Sequence, residues 1–302
     1  MRIVVTGGCG FIGSSFVNLC VKEGIEVLVV DKLTYAANKD LIPNSSDGFQ
    51  LLVKDICDVT ANDLGKYDYI VNFAAESHVD NSIENGLPFV KTNVEGTFNL
   101  LELARKNPKL KKFVQISTDE VYGDMASRGL TSAIEETSLQ PSSYYSATKA
   151  AADNLVQSAG RTYGLPYLIT RTCNNYGDNQ HHEKFIPTIA KSIKENTPVP
   201  LYGDGGQLRE WIWVEDNVQL ILELMFKGGG IYNIGSGDEW SNRSIINQVG
   251  LVMGTSVKYE YVEDRKGHDR RYTVNTTKLE LFLKNYNLTS NTLQNYITER
   301  FG

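Results

Sequence analysis

Residues 2–31 confine this chain to a narrow set of folds. Arg2-Ile-Val-Val-Thr6 reads as a buried strand, Phe11 to Lys22 as a helix, and Glu26-Val-Leu-Val-Val-Asp31 as a second buried strand. Between the first two lies Gly7-Gly-Cys-Gly10-Phe-Ile-Gly13. Glycines at Gly7, Gly10 and Gly13 permit a tight turn and let a helix N-terminus approach a pyrophosphate. Glycine spacing alone is weak evidence, but here the flanking strand and helix accompany it. Asp31 closes the second strand, where a carboxylate can accept hydrogen bonds from an adenosine ribose and repel a 2′-phosphate. NAD is therefore favoured over NADP, with the neighbouring Lys32 pulling the other way.

The same alternation continues. Strand-length apolar runs recur at Phe49–Val53, Tyr69–Ala75, Phe113–Ser117 and Tyr167–Arg171. Helical patterns start at Pro88, running to about Lys106, and at Ser142, running to Tyr163. Repeated βα units imply an α/β fold, a Rossmann-type doubly wound parallel sheet with helices on both faces. Beyond about Asn174 the rhythm breaks into shorter, glycine-punctuated elements, which predicts a smaller C-terminal substrate-binding lobe. The expected division is a cofactor domain over 1–177, with 205–235 returning to it, and a second lobe from 178–204 and 236–302.

Composition bounds the function classes. With 302 residues, 41% hydrophobic and 22% charged, the chain can bury a large core. Its net charge of −6 and lack of a basic run argue against nucleic acid as a partner. No apolar run nears the roughly 18 residues of a membrane span, and Ile3-Val4-Val5 is too short for a signal peptide. Cys9, Cys20, Cys57 and Cys173 show no paired spacing. That predicts neither disulfide framework nor zinc site, and fits a reducing cytoplasm.

The chemistry concentrates in two segments. Thr118-Asp119-Glu120 follows the end of an expected parallel strand, where catalytic groups of open α/β sheets gather. Two carboxyls there can divide acid and base roles if their surroundings separate their pKa values, or they can be solvated loop carboxylates. Tyr145 and Lys149 lie one helical turn apart on a shared face, so an ammonium can favour the phenolate that takes a hydroxyl proton. Tyr35-Ala-Ala-Asn-Lys39 has the same pattern, but it follows the Asp31 strand, at the adenosine end, which sets it aside. His78 is equally a substrate contact and a strand-end residue. His181-His182 reads as surface loop, and no metal is expected. Arg209 suits either an edge strand or a phosphate.

These residues, taken with Ala74-Ala-Glu-Ser-His-Val-Asp80, Asn174-Asn-Tyr-Gly177, Glu183-Lys184 and Asp264-Arg-Lys-Gly-His-Asp-Arg-Arg271, carry a resemblance. The chain resembles the extended short-chain dehydrogenases, and among them the dTDP-glucose 4,6-dehydratases, nearly end to end. Thr118-Asp119-Glu120 is the most specific match: related 4-epimerases generally lack this pair, and related decarboxylases keep a Glu without the Asp.

The resemblance implies a sequence of steps on a nucleotide-linked glucose. Tyr145 takes the C4 hydroxyl proton as hydride passes to NAD, Lys149 supports the phenolate and Thr118 bonds O4. Glu120 then removes the C5 proton, Asp119 protonates the departing C6 hydroxyl, and hydride returns to C6. Cofactor contacts would fall on Gly7, Gly10, Phe11, Ile12, Gly13, Asp31, Lys32, Leu33, Thr34, Asp55, Ile56, Phe73, Ala74, Ala75, Thr92, Tyr145, Lys149 and Asn175. Substrate contacts would fall on Ser77, His78, Thr118, Asn174, Lys184, Phe185, Pro200, Leu201, Tyr202, Arg209, Asn242, Arg265 and His268. The family also implies a homodimer, built as a four-helix bundle from the segments after Pro88 and after Ser142.

Three departures touch the substrate lobe. Leu288 to Gly302 lacks the usual Trp-Pro stretch, Lys266 stands where relatives have Pro, and His181-His182 precedes the Glu-Lys pair. They bear on substrate identity more than on reaction type. The competing readings are a nucleotide-sugar 4-epimerase, a 4,6-dehydratase for UDP-glucose or a UDP-amino sugar, and a non-catalytic nucleotide-sugar or NAD-binding protein.

Overall fold

The computed structural model describes residues 1–43, 48–284, 288–289 and 291–302. Seven parallel strands form its main sheet, in the order Gly230–Ile234, Tyr167–Thr172, Lys112–Thr118, Tyr69–Asn72, Arg2–Thr6, Glu26–Asp31, Phe49–Val53. This is the α/β, doubly wound architecture expected from the alternation.

The apolar runs explain it residue by residue. Ile3, Val5, Val27, Val29 and Val114 face one side, against Phe16, Val17 and Val218 of the Phe11–Lys22 and Val214–Lys227 helices. Val4, Leu28, Val30, Ile70 and Phe113 face the other, against Leu100, Leu101 and Val156. A strand buried on both faces has no solvent side, so its sequence runs continuously apolar instead of alternating. Each such side chain contributes about 1.5–3 kcal/mol on burial.

Two elements differ from expectation for local reasons. The strand expected over Tyr69–Ala75 stops at Asn72. There the Asn72 side chain accepts from the Thr6 hydroxyl (2.6 Å) and donates to Gln115 (2.9 Å). The chain then peels off the sheet, and residues 73–75 become cleft wall. The helix expected from Pro88 is interrupted by a π-turn over Val90–Gly96 before resuming as Thr97–Arg105. Asn93, inside that turn, accepts from the Glu76 N–H (2.9 Å) and donates to the Glu76 carbonyl (3.1 Å) and to Thr148 (3.0 Å). Turns of this kind often accompany functional sites. The helix expected from Ser142 spans Tyr144–Tyr163, opened by a Ser143/Ser146 capping box.

A separate apolar cluster lies beyond the sheet. Ile186, Ile189, Trp211, Ile245, Ile246, Val249 and Ile297 pack together under the Phe185–Lys194, Asn242–Val252 and Leu293–Phe301 helices. From the atypical C-terminus, Leu293, Tyr296, Ile297 and Phe301 join this cluster and Leu288 packs on the sheet core, while Ser290 lies outside the described residues. Tyr296 stacks on Tyr176 and Trp213 and donates to the Gly177 carbonyl (3.0 Å), while Tyr176 donates to the Asn291 carbonyl (2.6 Å). The C-terminal helix thereby fixes the short Asn174–Tyr176 strand, which pairs with Leu208–Trp213, and the turn after it. Among the described residues, no helix is long and apolar enough to cross a membrane.

Candidate active site

A cleft of about 690 Å³ opens at the carboxyl ends of the parallel strands. There Arg2–Thr6 lies between strands that continue the sheet in opposite directions, the point at which such sheets take ligands. Its two ends are built from different materials.

At the glycine end the backbone does the work. Gly7 has φ +68°, and a Cβ on it would lie 2.6 Å from the Ala74 nitrogen; one on Gly13 would lie 2.2 Å from the Gly7 carbonyl oxygen. Only glycine allows the turn, the strand end and the helix to close this tightly. Gly10 caps the Phe11–Lys22 helix with no side-chain bond. Among the described residues no side-chain cap meets the first-turn N–H groups of Phe11, Ile12 and Gly13, which suits a diphosphate.

Asp31 accepts from the Cys9 N–H (2.9 Å) through one oxygen and the Leu33 N–H (2.8 Å) through the other. The second bond holds Leu33 in a left-handed conformation, φ 56°, that a branched residue rarely adopts. Lys32 is engaged by Glu76 (3.1 Å), Thr92 (3.0 Å) and Asp55 (3.8 Å). A lysine so neutralised offers little to a 2′-phosphate, which removes the sequence's one argument for NADP. Of the expected cofactor contacts, Leu33 and Asp55 stand behind the wall and the rest line it.

At the other end the working groups are titratable side chains held away from water. Thr118 ends its strand, and its hydroxyl donates to Asp119 (3.1 Å) and accepts from the Glu120 N–H (3.3 Å). Asp119 is 3% exposed, and its Oδ2 has no hydrogen-bond partner among the described residues. Burial, with Glu120 and Glu210 nearby, raises its pKa well above the carboxylate range. Glu120 is raised too, again by burial, but Arg209, Lys184 and Arg265 oppose the rise. Adjacent carboxyls thus have unequal surroundings: one is held towards the acid form, while cations temper the other.

Tyr145 is raised by burial and by Glu120, with the Thr118 hydroxyl offsetting part of it. Lys149 donates to the Ile116 carbonyl (2.5 Å), and burial brings it down to about 8. Tyr145, Lys149, Thr118 and Glu120 line the cleft; Asp119 lies just behind it.

The expected substrate set divides. Ser77, Thr118, Asn174, Lys184 and Phe185 line the cleft. Tyr202, Arg265 and His268 form a second cluster, with Arg265 stacked over Tyr202 (4.9 Å) and paired with Asp80 (2.5 Å), and His268 edge-on to Tyr202. Arg209 stacks over Tyr272 (4.3 Å) and donates to the Asp269 carbonyl (3.0 Å). Leu201 is 1% exposed inside the C-terminal core, so its side chain packs inward, whereas Pro200 is exposed. Asn242 opens its helix, its N–H bonded to the Gln207 carbonyl (3.1 Å). His78 caps the Val79–Glu84 helix, with Nδ1 buried and unpartnered, and burial and Lys184 lower its pKa.

Tyr35 is a rim residue, edge-on to His181, and the following residues form a turn and a short 3-10 helix, so Tyr35 and Lys39 are no helical pair. His181, His182 and Glu183 do bring potential ligand atoms within 4.8 Å of one another at the cleft mouth. Two of the three are exposed, and the two imidazoles stack on each other.

Sequence reasoning passed over Glu76, Trp211 and Cys173, all in the cleft wall, and the Asp153–Arg171 pair beneath it. Asp153 had a signal: it continues the Tyr145–Lys149 stripe by one more turn.

Comparison with known proteins settles the family. Residues 3–235 match the NAD dependent epimerase/dehydratase family. The chain belongs to that family. This epimerase/dehydratase is 46% identical over 286 residues to the low-salt glycan biosynthesis protein Agl12 of Haloferax volcanii, covering 92% of this chain and 91% of that one. It is 41% identical over 308 residues to the dTDP-glucose 4,6-dehydratase of Haemophilus influenzae, covering 92% and 91%. Its fold superposes on DesIV, the dTDP-glucose 4,6-dehydratase of Streptomyces venezuelae with NAD and TYD bound, at a TM-score of 0.94 and 38% identity, covering 100% and 96%. Within the epimerase/dehydratase family its similarity thus runs to the dTDP-glucose 4,6-dehydratases.

Proposed function

We propose that this protein dehydrates a nucleotide-linked glucose, dTDP-glucose first, to the 4-keto-6-deoxy sugar. One observation carries the reading: Asp119 and Glu120 both act on Tyr145, and burial raises both while Lys184, Arg209 and Arg265 oppose the rise at Glu120. An epimerase that only oxidises and re-reduces C4 has no use for that pair. NAD, when bound, supplies the acceptor for the C4 hydride and its donor at C6. The glycine turn and Asp31 fit its diphosphate and ribose, with Phe11, Ile12, Thr34, Ile56, Phe73, Ala74, Ala75, Thr92 and Asn175 as walls.

The chain's own residues move the protons. Tyr145, supported by Lys149, takes the C4 hydroxyl proton, and Thr118 orients that oxygen. A ketone at C4 acidifies C5, and Glu120 removes the proton there and returns one, exchanged with solvent, to C5 when C6 is reduced. Asp119, held towards its acid form, gives its proton to the departing C6 hydroxyl. Lys184, Arg209, Arg265 and His268 are assigned to the diphosphate, where cations offset its charge. Residues 1–177 with 205–235 are assigned to the cofactor, and 178–204 with 236–302 to the sugar nucleotide.

A homodimer accompanies this reading, supported by exposed apolar side chains on the two bundle helices. Leu87, Val90 and Phe98 lie on one, and Tyr144 and Tyr163 on the other, exposed by 49–73%. A cytoplasmic location fits four cysteines that are all unpaired. The test is turnover of TDP-, UDP-, CDP- and GDP-glucose side by side. A 4-keto-6-deoxy product, strongest with TDP-glucose, supports the proposal, while a 4-epimer overturns it. Thymine and uracil differ by a methyl, worth about 1–3 kcal/mol in a pocket, so preference between them will be a ratio, not an exclusion.

A further inference from the structure

Beneath the cleft lies an ion pair that the steps above do not use. Asp153 Oδ2 accepts from Arg171 Nε at 2.9 Å, and the two side chains are 0% and 2% exposed. Arg171 lies opposite Ser117 in the parallel pairing of Lys112–Thr118 with Tyr167–Thr172. Asp153 lies one helical turn beyond Lys149, on the same face of the Tyr144–Tyr163 helix. Removing two charges from water is expensive, and apolar side chains would join the same helix to the same sheet at lower cost. Adhesion alone does not account for the pair.

The surroundings indicate what it does. Arg171 is fixed on its other side: Nη1 donates to the Tyr122 hydroxyl (2.9 Å) and the Glu135 carbonyl (3.2 Å), and the guanidinium stacks over the Tyr122 ring. Tyr122 in turn donates to Asn233 (2.7 Å) in the last strand of the sheet. Asp153 is thus anchored from behind, with its second oxygen, Oδ1, buried. The buried Ser117 hydroxyl lies beside it and, with Arg171, stabilises the Asp153 charge against burial, which is the larger effect.

We propose that Asp153, anchored by Arg171, keeps Lys149 in its ammonium form one helical turn from Tyr145. Asp153 is a positioning residue here, acting through Lys149 and touching no substrate. The proposal rests on the Tyr145/Lys149 reading given above.

The charged groups around Lys149 come from three elements. Tyr145 and Asp153 share its helix, Asp119 and Glu120 follow the Lys112–Thr118 strand whose Ile116 carbonyl accepts from Lys149, and Arg171 lies on the next strand, paired with Asp153. Of these, Asp153 is the one that raises Lys149 against burial, and Lys149 still falls to about 8. The ammonium is therefore full below that pH and lost as pH rises through it. Without Asp153 the loss comes at lower pH. Asp119, Glu120 and Asp153 all raise Tyr145 directly, so removing Asp153 has an opposing effect on the phenol. The alkaline limb of the rate profile follows Lys149 and separates the two effects.

The experiment measures kcat and KM against pH for the wild type, Asp153→Asn and the charge-free pair Asp153→Asn/Arg171→Gln, all as holoenzyme with dTDP-glucose. The proposal predicts KM within about twofold of wild type. It also predicts an alkaline limb moved lower by about one pH unit, a tenfold change in proton activity, in both variants. An unmoved limb in a folded double variant overturns it, and so does failure of both variants to fold, since the pair then serves the fold alone. Tyr145→Phe keeps the underlying reading separate. If that variant still oxidises C4, the Tyr/Lys assignment has failed, whatever Asp153 does.

Discussion

The two ends of the cleft meet opposite demands with opposite means. At the Gly7–Asp31 end, an anionic, polar ligand is matched by backbone: a helix start without a side-chain cap and a turn too tight for any Cβ. At the Thr118–Lys149 end, protons are to be moved, and every working group is a side chain whose charge is disfavoured by burial. The first end is fixed by shape. The second is fixed by electrostatic contrast, and small changes in charge there should cost more than small changes in contact.

That contrast orders the expected effects. Tyr145→Phe removes the proton acceptor for the first step and should cut kcat by about 10⁴-fold, at the upper end for one acid–base group. Steady-state turnover with substrate binding measured separately checks it; a loss confined to KM would move Tyr145 into the contact class. Glu120→Gln should lower product formation by about 10³-fold while leaving C4 oxidation intact, so NADH absorbance builds up on the enzyme. If substrate binds and no NADH accumulates, the order of steps is wrong. Because Glu120 is raised above its ordinary 4.5, wild-type activity should rise with pH through a limb above 4.5, as the carboxylate forms. That limb should be missing from the C5 exchange step of the Gln variant.

The backbone end should respond less. Asp31→Ala frees the Cys9 and Leu33 N–H groups and should weaken NAD by about 10–100-fold, with kcat at saturation nearly unchanged. A large fall in saturated kcat would show that the two ends are not separable. Asp119→Asn has the smallest effect on the fold and the opposite sign. An isosteric amide has no acid form to lose, so the stability that Asp119 forfeits as pH rises from 3.8 through its raised folded value should be regained. Tm at neutral pH should rise by ~2–4 °C, read by calorimetry, as turnover disappears.

The same contrast governs what the sequence reveals. Strand runs such as Val27–Val30 and the glycine spacing are local patterns, and the sheet follows from them. Helix and strand ends were less legible where a distant side chain decides them: Asn93 reaching Glu76 widens the helix after Pro88, and Asn72 bonding Thr6 and Gln115 ends its strand early. At the site, Thr118, Asp119, Glu120, Tyr145 and Lys149 were nameable by type, position and resemblance. What no spacing encodes is that Asp119 has an unpartnered oxygen, or that Arg209, Lys184 and Arg265 converge on Glu120 from three separate segments. Arg171 was hidden for the same reason, since it reads as the last residue of an apolar strand until Asp153 folds over it.

The account turns on proton traffic at C5 and C6, and one measurement follows it directly. Incubation of the holoenzyme with dTDP-glucose in D₂O, with the product identified by mass spectrometry and NMR, reads both the lost water and the solvent proton. The expected product is lighter by one water and carries solvent deuterium at C5 and the original C4 hydrogen at C6. A sugar of unchanged mass inverted at C4, or a dehydrated product with no deuterium at C5, would contradict it.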